Sequence, residues 1–345
     1  MTPDLTARDD AILEMMARET AVMDDLVLRA QDPLGWLAVR RQARSFRQHL
    51  EPALAVASAA RVGAEIAAYD ASLARCYERS GAELGEYDPG VVATERGHLG
   101  LRVALIGKGG VGKTVLASTL ARVLARRGRT VFAADLDTNP GLAISLGLGT
   151  GDFALPSAAV EENAGSNYGW RLAAGVTAVE AVRRYATITA DGVHYLGLGK
   201  IGSADKIDAK QSVVALTQIL LRFGDPSWDV IADLEAGPTT PFEGYHAFAD
   251  TVLVVVGPSW QSALTARRLL PMVGDRRTVI VANRFRDEAD HPGLEADVRI
   301  PFDAAVAEAE RHGSSPVDSC PDSPVIDAVG RLADHLLTTS QEVKV

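Results

Sequence analysis

The sequence predicts an α/β protein: a doubly wound, mainly parallel β-sheet preceded by a small α-helical module. Three observations carry that expectation. Short apolar runs of buried-strand type recur from residue 101 onwards, at 101–106, 130–134, 193–201, 228–233, 251–256 and 279–284, with helical spacing between them. The first run leads directly into Gly107-Lys108-Gly109-Gly110-Val111-Gly112-Lys113-Thr114, and Val115, Leu116, Leu120, Val123 and Leu124 follow at helical spacing. Residues 1–97, by contrast, read as helical, so the domains are expected at 1–97 and 98–345.

The stretch from Gly107 to Thr114 fits the G-x-x-x-x-G-K-[ST] pattern in the strand-to-helix context that the pattern needs. A strand, a glycine turn and a helix N-terminus aim backbone N–H groups and the positive end of a helix dipole at one spot. The phosphate cradle is therefore expected at Gly107, Gly109, Gly110, Val111, Gly112, Lys113, Thr114 and Val115. Lys113 would reach the β- and γ-phosphates and Thr114 would ligate Mg²⁺. The chain is expected to bind a nucleotide. A second lysine, Lys108, follows the first glycine and is the first lysine in the chain. With it, the stretch resembles the deviant Walker A loop of the MinD/ParA/nitrogenase-iron-protein class of P-loop ATPases. The resemblance implies a P-loop NTPase domain, and that Lys108 reaches across a dimer interface to the nucleotide of the other subunit. A solvated loop lysine is the plainer alternative.

Composition narrows the classes. A hydrophobic content of 47% supports a real core, and 23% charged residues is ordinary for a globular protein. A net charge of −10 argues against non-specific coating of nucleic acid, although a local basic patch stays open. The N-terminus is polar and acidic, and no apolar stretch approaches the ~18 residues that span a bilayer. Cys76 and Cys320 form no C-x-x-C pair, which suggests neither a disulfide framework nor a metal site. A cytoplasmic protein is expected.

In the N-terminal module, Ile12, Leu13, Met16, Val22, Met23, Leu26 and Val27 mark an amphipathic first helix. Asp32-Pro33 suits the start of a second. Pro52 starts or kinks a third, which runs through Ile66 and Leu73 towards Gly81. Arg40, Arg44 and Arg47 form a basic stripe, either a docking face or a solvated one. Residues 85–100, with Asp88-Pro89-Gly90, read as a linker.

The second strand ends in Asp135-Leu136-Asp137-Thr138-Asn139, where doubly wound sheets place their ligands. The segment resembles the family's switch I, D-x-D-P-x-x-N-L, with Leu142 in its last position. That match implies that Asp137 positions or activates the attacking water and that Asp135 lies nearer the Mg²⁺ shell. Thr138 and Gly141 depart from the usual proline and asparagine. Residues 143–225 read as turn-rich loops and helical patches around the 193–201 strand. Residues 228–233 read as a Walker B strand ending in Asp233, an acid able to reach Mg²⁺ through water. It continues into Glu235-Ala236-Gly237, a switch II that resembles the ATPases inserting nickel into carbon monoxide dehydrogenase, the CooC type. Gly197-Leu198-Gly199-Lys200-Ile201 resembles a run of the same group. That group carries a C-x-C shortly afterwards, whereas this chain has Ser203-Ala204-Asp205-Lys206-Ile207-Asp208-Ala209-Lys210, read as a charged helix start. Thr239-Thr240-Pro241-Phe242-Glu243 also lacks the usual His and Arg. The ATPase centre is expected to carry over, and the nickel chemistry is not.

Gly257-Pro258-Ser259-Trp260-Gln261-Ser262 resembles the family's post-switch helix start. By the same resemblance Asn283 hydrogen-bonds the adenine, and the backbone around Pro301 lies near the base. A guanine reader would want N-K-x-D, but position 286 is arginine and Asp287 comes one place late, so ATP is favoured over GTP. Val325, Val329, Leu332 and Leu336 share one face of a C-terminal helix that lacks the basic amphipathic character of a membrane-surface helix. The expected function is an Mg²⁺-dependent ATPase whose homodimer, closed by ATP, acts as a switch on a protein client, with the N-terminal helices as the candidate surface for it. The alternatives are a ParA-like positioning ATPase using DNA or another surface, and a metallochaperone-type ATPase in metalloenzyme maturation.

Overall fold

Strands buried on both faces must be apolar along their length, because side chains alternate between two covered sides. The computed structural model bears this out for its central strands. It describes residues 5–29, 100–137, 141–151, 153–162, 170–198, 209–237, 245–274, 276–286 and 294–342. The chain divides into two compact units, residues 1–88 with 162–169 and residues 89–161 with 170–345. The expected second and third helices, the basic stripe of Arg40, Arg44 and Arg47, and the 85–99 part of the linker lie outside the described residues.

The first unit contributes one described helix, α1 (Leu5–Arg29). Ile12 and Met16, one turn apart, are buried, while Val22 is 41% exposed. The expectation that Val22 shares the apolar face is thus corrected. At ~100° per residue, six residues carry it roughly 120° around the helix from Met16.

The second unit is built on an eight-stranded sheet in the order β10-β9-β8-β1-β7-β2-β6-β5. The strands are β1 (Arg102–Gly107), β2 (Thr130–Leu136), β5 (Thr187–Ile188), β6 (Val193–Gly197), β7 (Trp228–Leu234), β8 (Thr251–Val256), β9 (Arg277–Phe285) and β10 (Val298–Pro301). All neighbours are parallel except the edge pair β5–β6. β7 and β8 are buried at every position. Two short strands, β3 (Val160–Glu162) and β4 (Trp170–Leu172), form a separate ribbon.

Helices cover both faces. On one side α2 (Lys113–Arg126) packs Leu120 and Leu124 against the sheet beside the C-terminal helix α9 (Pro324–Glu342), and Val325, Val329, Leu332 and Leu336 are all buried there. The others are α3 (Leu142–Ser145), α4 (Ala178–Tyr185), α5 (Ala209–Arg222), α6 (Trp260–Val273), α7 (Ala304–Arg311) and α8 (Pro316–Ser319). β1 lies between β7 and β8, strands that follow it late in sequence, so its carboxyl end opens onto a crevice of the type that holds ligands in such sheets.

Candidate functional site

All parallel strands end at one edge, and the sequence-predicted residues converge there. Gly107 closes β1 opposite Val255 of β8, Asp135 of β2 sits in register with Asp233 of β7, and Asn283 lies near the end of β9. Gly112 precedes α2 at φ 90°, and a Cβ on it would lie 2.5 Å from Asn283 Nδ2. Glycine meets both demands, the left-handed backbone and the close approach. The first turn of α2 has no acidic residue and no side-chain cap, which leaves its N–H groups free for an anion. Lys113 is buried, Lys108 half-buried, and Gly109 and Gly110 are exposed. The side chains of Val111 and Val115 belong to the core.

The Thr114 hydroxyl donates to Asp233 Oδ2 at 2.6 Å. The other oxygen of that carboxylate, Oδ1, is buried without a hydrogen-bond partner among the described residues. Burial pushes Asp233 up to about 6, against the Thr114 hydrogen bond and the Lys113 charge, while the charge of Asp137 adds to the rise.

Asp135 is bonded differently. Its Oδ1 accepts the Asp137 N–H at 3.0 Å, and its Oδ2 accepts the Leu142 N–H at 3.0 Å and the Tyr195 hydroxyl at 3.4 Å. Burial, then repulsion from Asp233, raises its pKa well above the ordinary carboxylate value. Gly197 on β6 is in register with Asp135, and a Cβ there would lie 2.4 Å from the Tyr195 hydroxyl oxygen. Asp135 therefore holds the backbone at Asp137 and at Leu142, while Asp233 keeps one oxygen open. A hydroxyl paired with a desolvated, half-satisfied carboxylate fits a hard divalent cation such as Mg²⁺.

The Gly237 N–H donates to Gly107 O at 3.1 Å, so the glycine of the expected switch II touches the loop that closes β1, and Glu235, two residues before it, is half-buried. Asn283 Nδ2 donates to Val111 O at 2.8 Å, and Pro301, the last residue of β10, is half-buried beside Phe285. The Gly257 N–H donates to Ser262 Oγ at 2.9 Å, which braces the loop after β8 where it passes Val111. Thr138, Asn139, Gly199, Lys200, Ile201, the 203–208 segment and the 239–243 segment lie outside the described residues. Two side chains at the site had no role in the sequence reading. Tyr195 needed the β2–β6 register, and Arg284, which donates to Gly110 O, needed the β9–β10 register.

Comparison with known proteins agrees with this geometry. A family model described as the CobQ/CobB/MinD/ParA nucleotide binding domain matches residues 103–317. The carbon monoxide dehydrogenase accessory protein CooC of Rhodospirillum rubrum is 27% identical over 242 residues, which cover 64% of this chain and 91% of that protein. The uncharacterized ATP-binding protein MJ0823 of Methanocaldococcus jannaschii is 26% identical over 228 residues, 61% of this chain and 88% of that one. The septum site-determining protein MinD of Pyrococcus horikoshii, solved with Mg-ADP, has a TM-score of 0.52 at 20% identity, covering 72% of this chain and 99% of that chain. The cell division ATPase MinD of Pyrococcus furiosus has a TM-score of 0.51 at 23% identity, covering 69% and 99%. These two likenesses are of fold.

Proposed function

From the premise that this chain belongs to the CobQ/CobB/MinD/ParA nucleotide-binding family, we propose that it is an Mg²⁺-dependent ATPase working as a dimerising switch on a protein client. The observation that carries the reading is the Thr114–Asp233 pair at the mouth of the phosphate-binding loop, with its one open carboxylate oxygen. Thr114 and Asp233 would hold Mg²⁺, which when bound neutralises charge on the β- and γ-phosphates. The remaining work is positioning by this chain's own groups. N–H groups from Gly109 to Val115 receive the phosphates, and Lys113 adds a fixed positive charge. Asp135 holds the backbone of Asp137, so that the Asp137 carboxylate orients the attacking water. Lys108 crosses to the nucleotide of a second subunit. The Gly237–Gly107 hydrogen bond links switch II to the loop, which lets loss of the γ-phosphate loosen the dimer.

A client protein is favoured because one relative is, by its name, an accessory protein of an enzyme. The proposed switch is tested by solution mass from light scattering with ADP, with ATP, and with ATP on Lys108→Ala. A dimer that forms with ATP and is lost in the variant is expected. Mass indifferent to nucleotide would remove the switch, and phosphate release measured in parallel would show whether hydrolysis survives without it.

A further inference from the structure

The β9–β10 ladder slips by one residue beside the phosphate-binding loop. Asn283 pairs with Ile300 and Phe285 with Pro301, which leaves Arg284 between them as a bulge. Bulges re-aim a side chain, and this one does so at the site. Arg284 takes φ 64°, the one positive value at a non-glycine among the described residues. An L-residue stays there only where its surroundings compensate. Its guanidinium donates to Gly110 O at 3.1 Å and pairs with Glu310 of α7 at 2.7 Å. The preceding residue, Asn283, donates to Val111 O at 2.8 Å. Two consecutive residues of β9 thus hold two consecutive carbonyls of the loop.

A trans peptide is planar, with its C=O and the following N–H pointing in opposite directions. Holding the Gly110 carbonyl towards β9 therefore turns the Val111 N–H away from it, and holding the Val111 carbonyl does the same for Gly112. Those N–H groups belong to the phosphate cradle. We propose that Arg284 is a positioning residue of the nucleotide site: the bulge aims its guanidinium at Gly110 O, and the planar peptide passes that constraint to the Val111 N–H. Glu310 steadies the guanidinium from α7. This role rests on the nucleotide-binding reading of the site.

The test measures binding of a fluorescent ADP analogue with Mg²⁺ to the full chain and to Arg284→Gly, Arg284→Lys and Glu310→Gln. Glycine keeps the left-handed backbone without the guanidinium. Affinity is expected to fall about tenfold in Arg284→Gly, to recover in part in Arg284→Lys, and to fall about twofold in Glu310→Gln. Hydrogen exchange at residues 107–116 without nucleotide is expected to quicken in Arg284→Gly while the thermal midpoint holds. In turnover the change falls on KM rather than kcat, as for an interaction made equally in ground and transition states. Wild-type affinity and exchange in Arg284→Gly would overturn the proposal. If Arg284→Gly does not fold, wild-type affinity in both Arg284→Lys and Glu310→Gln overturns it instead. Failure of the unaltered chain to bind the analogue would sink the nucleotide reading itself.

Discussion

At Asp233 two demands oppose each other. The carboxylate is buried beside Asp135, which costs stability without a cation, yet that is the arrangement a cation needs. With its pKa pushed up to about 6, folded Asp233 binds a proton more tightly than the unfolded chain does. Stability from this group is present below pH ~4 and lost as the pH rises towards ~6. Asp250, also pushed up to about 6 by burial, has the same sign. Asp191, Asp225 and Asp318 are depressed by their hydrogen bonds and nearby arginines despite partial burial, and they lose stability at the other end, as the pH falls below the ordinary carboxylate value. The cation-free protein is therefore expected to melt at a higher temperature at pH 5 than at pH 7, as thermal unfolding would read. Asp233→Asn removes the cost, on the order of 2 kcal/mol, and should raise the pH 7 midpoint by a few degrees while abolishing hydrolysis. A lower midpoint would show that the carboxylate is not a source of strain. Much of this was legible beforehand. Thr114 and Asp233 follow from a loop pattern and an apolar run ending in an acid. Which oxygen stays open, and that Asp135 spends its own on Asp137, Leu142 and Tyr195, depends on strand register.

The elements the sequence made plain are those with a continuous apolar run, β1, β2, β7 and β8, because both of their faces are covered. β5 was not legible. It has two residues, its Ile188 is 54% exposed, and pairing with β6 alone defines it. The Arg284 bulge was hidden for a similar reason, since a slip between two strands leaves no trace in either one read alone. The β2–β6 pair carries a prediction of its own. Gly197→Ala would drive the Tyr195 hydroxyl off Asp135, and Tyr195→Phe would delete it. Both should speed hydrogen exchange at Asp137 and Leu142, and exchange unchanged in both would deny Tyr195 any hold on their backbone. Further from the site, buried Arg122 of α2 joins Asp191, Ser315 and Asp318, tying α8 and the turn before β6 to the helix that holds the nucleotide loop. Arg122→Ala leaves Asp191, 14% exposed, and Asp318, 52% exposed, with Arg126 as their remaining arginine partner, so the cost is smaller than for a fully buried pair, about 2 kcal/mol. Denaturant unfolding would read it as a lower midpoint.

For the whole molecule the question is which unit would make the proposed switch. Every residue proposed to meet the nucleotide belongs to the unit formed by residues 89–161 and 170–345. The unit also secures its own first strand: the Gly100 N–H donates to Pro226 O, and the Leu101 N–H to the buried carboxylate of Asp229, which Arg129 pairs. None of these bonds draws on residues 1–88. We therefore predict that a fragment of residues 98–345 unfolds cooperatively and binds the ADP analogue as the full chain does. Light scattering then separates the readings. If the fragment dimerises with ATP, and does so at high as well as low salt, the sheet unit is the switch and residues 1–97 are left to receive the client. Dimerisation that needs DNA and falls steeply with salt would favour the positioning reading, since salt competes for phosphate contacts. A fragment that binds nucleotide yet stays monomeric with ATP would move assembly to residues 1–97, and the cross-subunit role of Lys108 would fall with it.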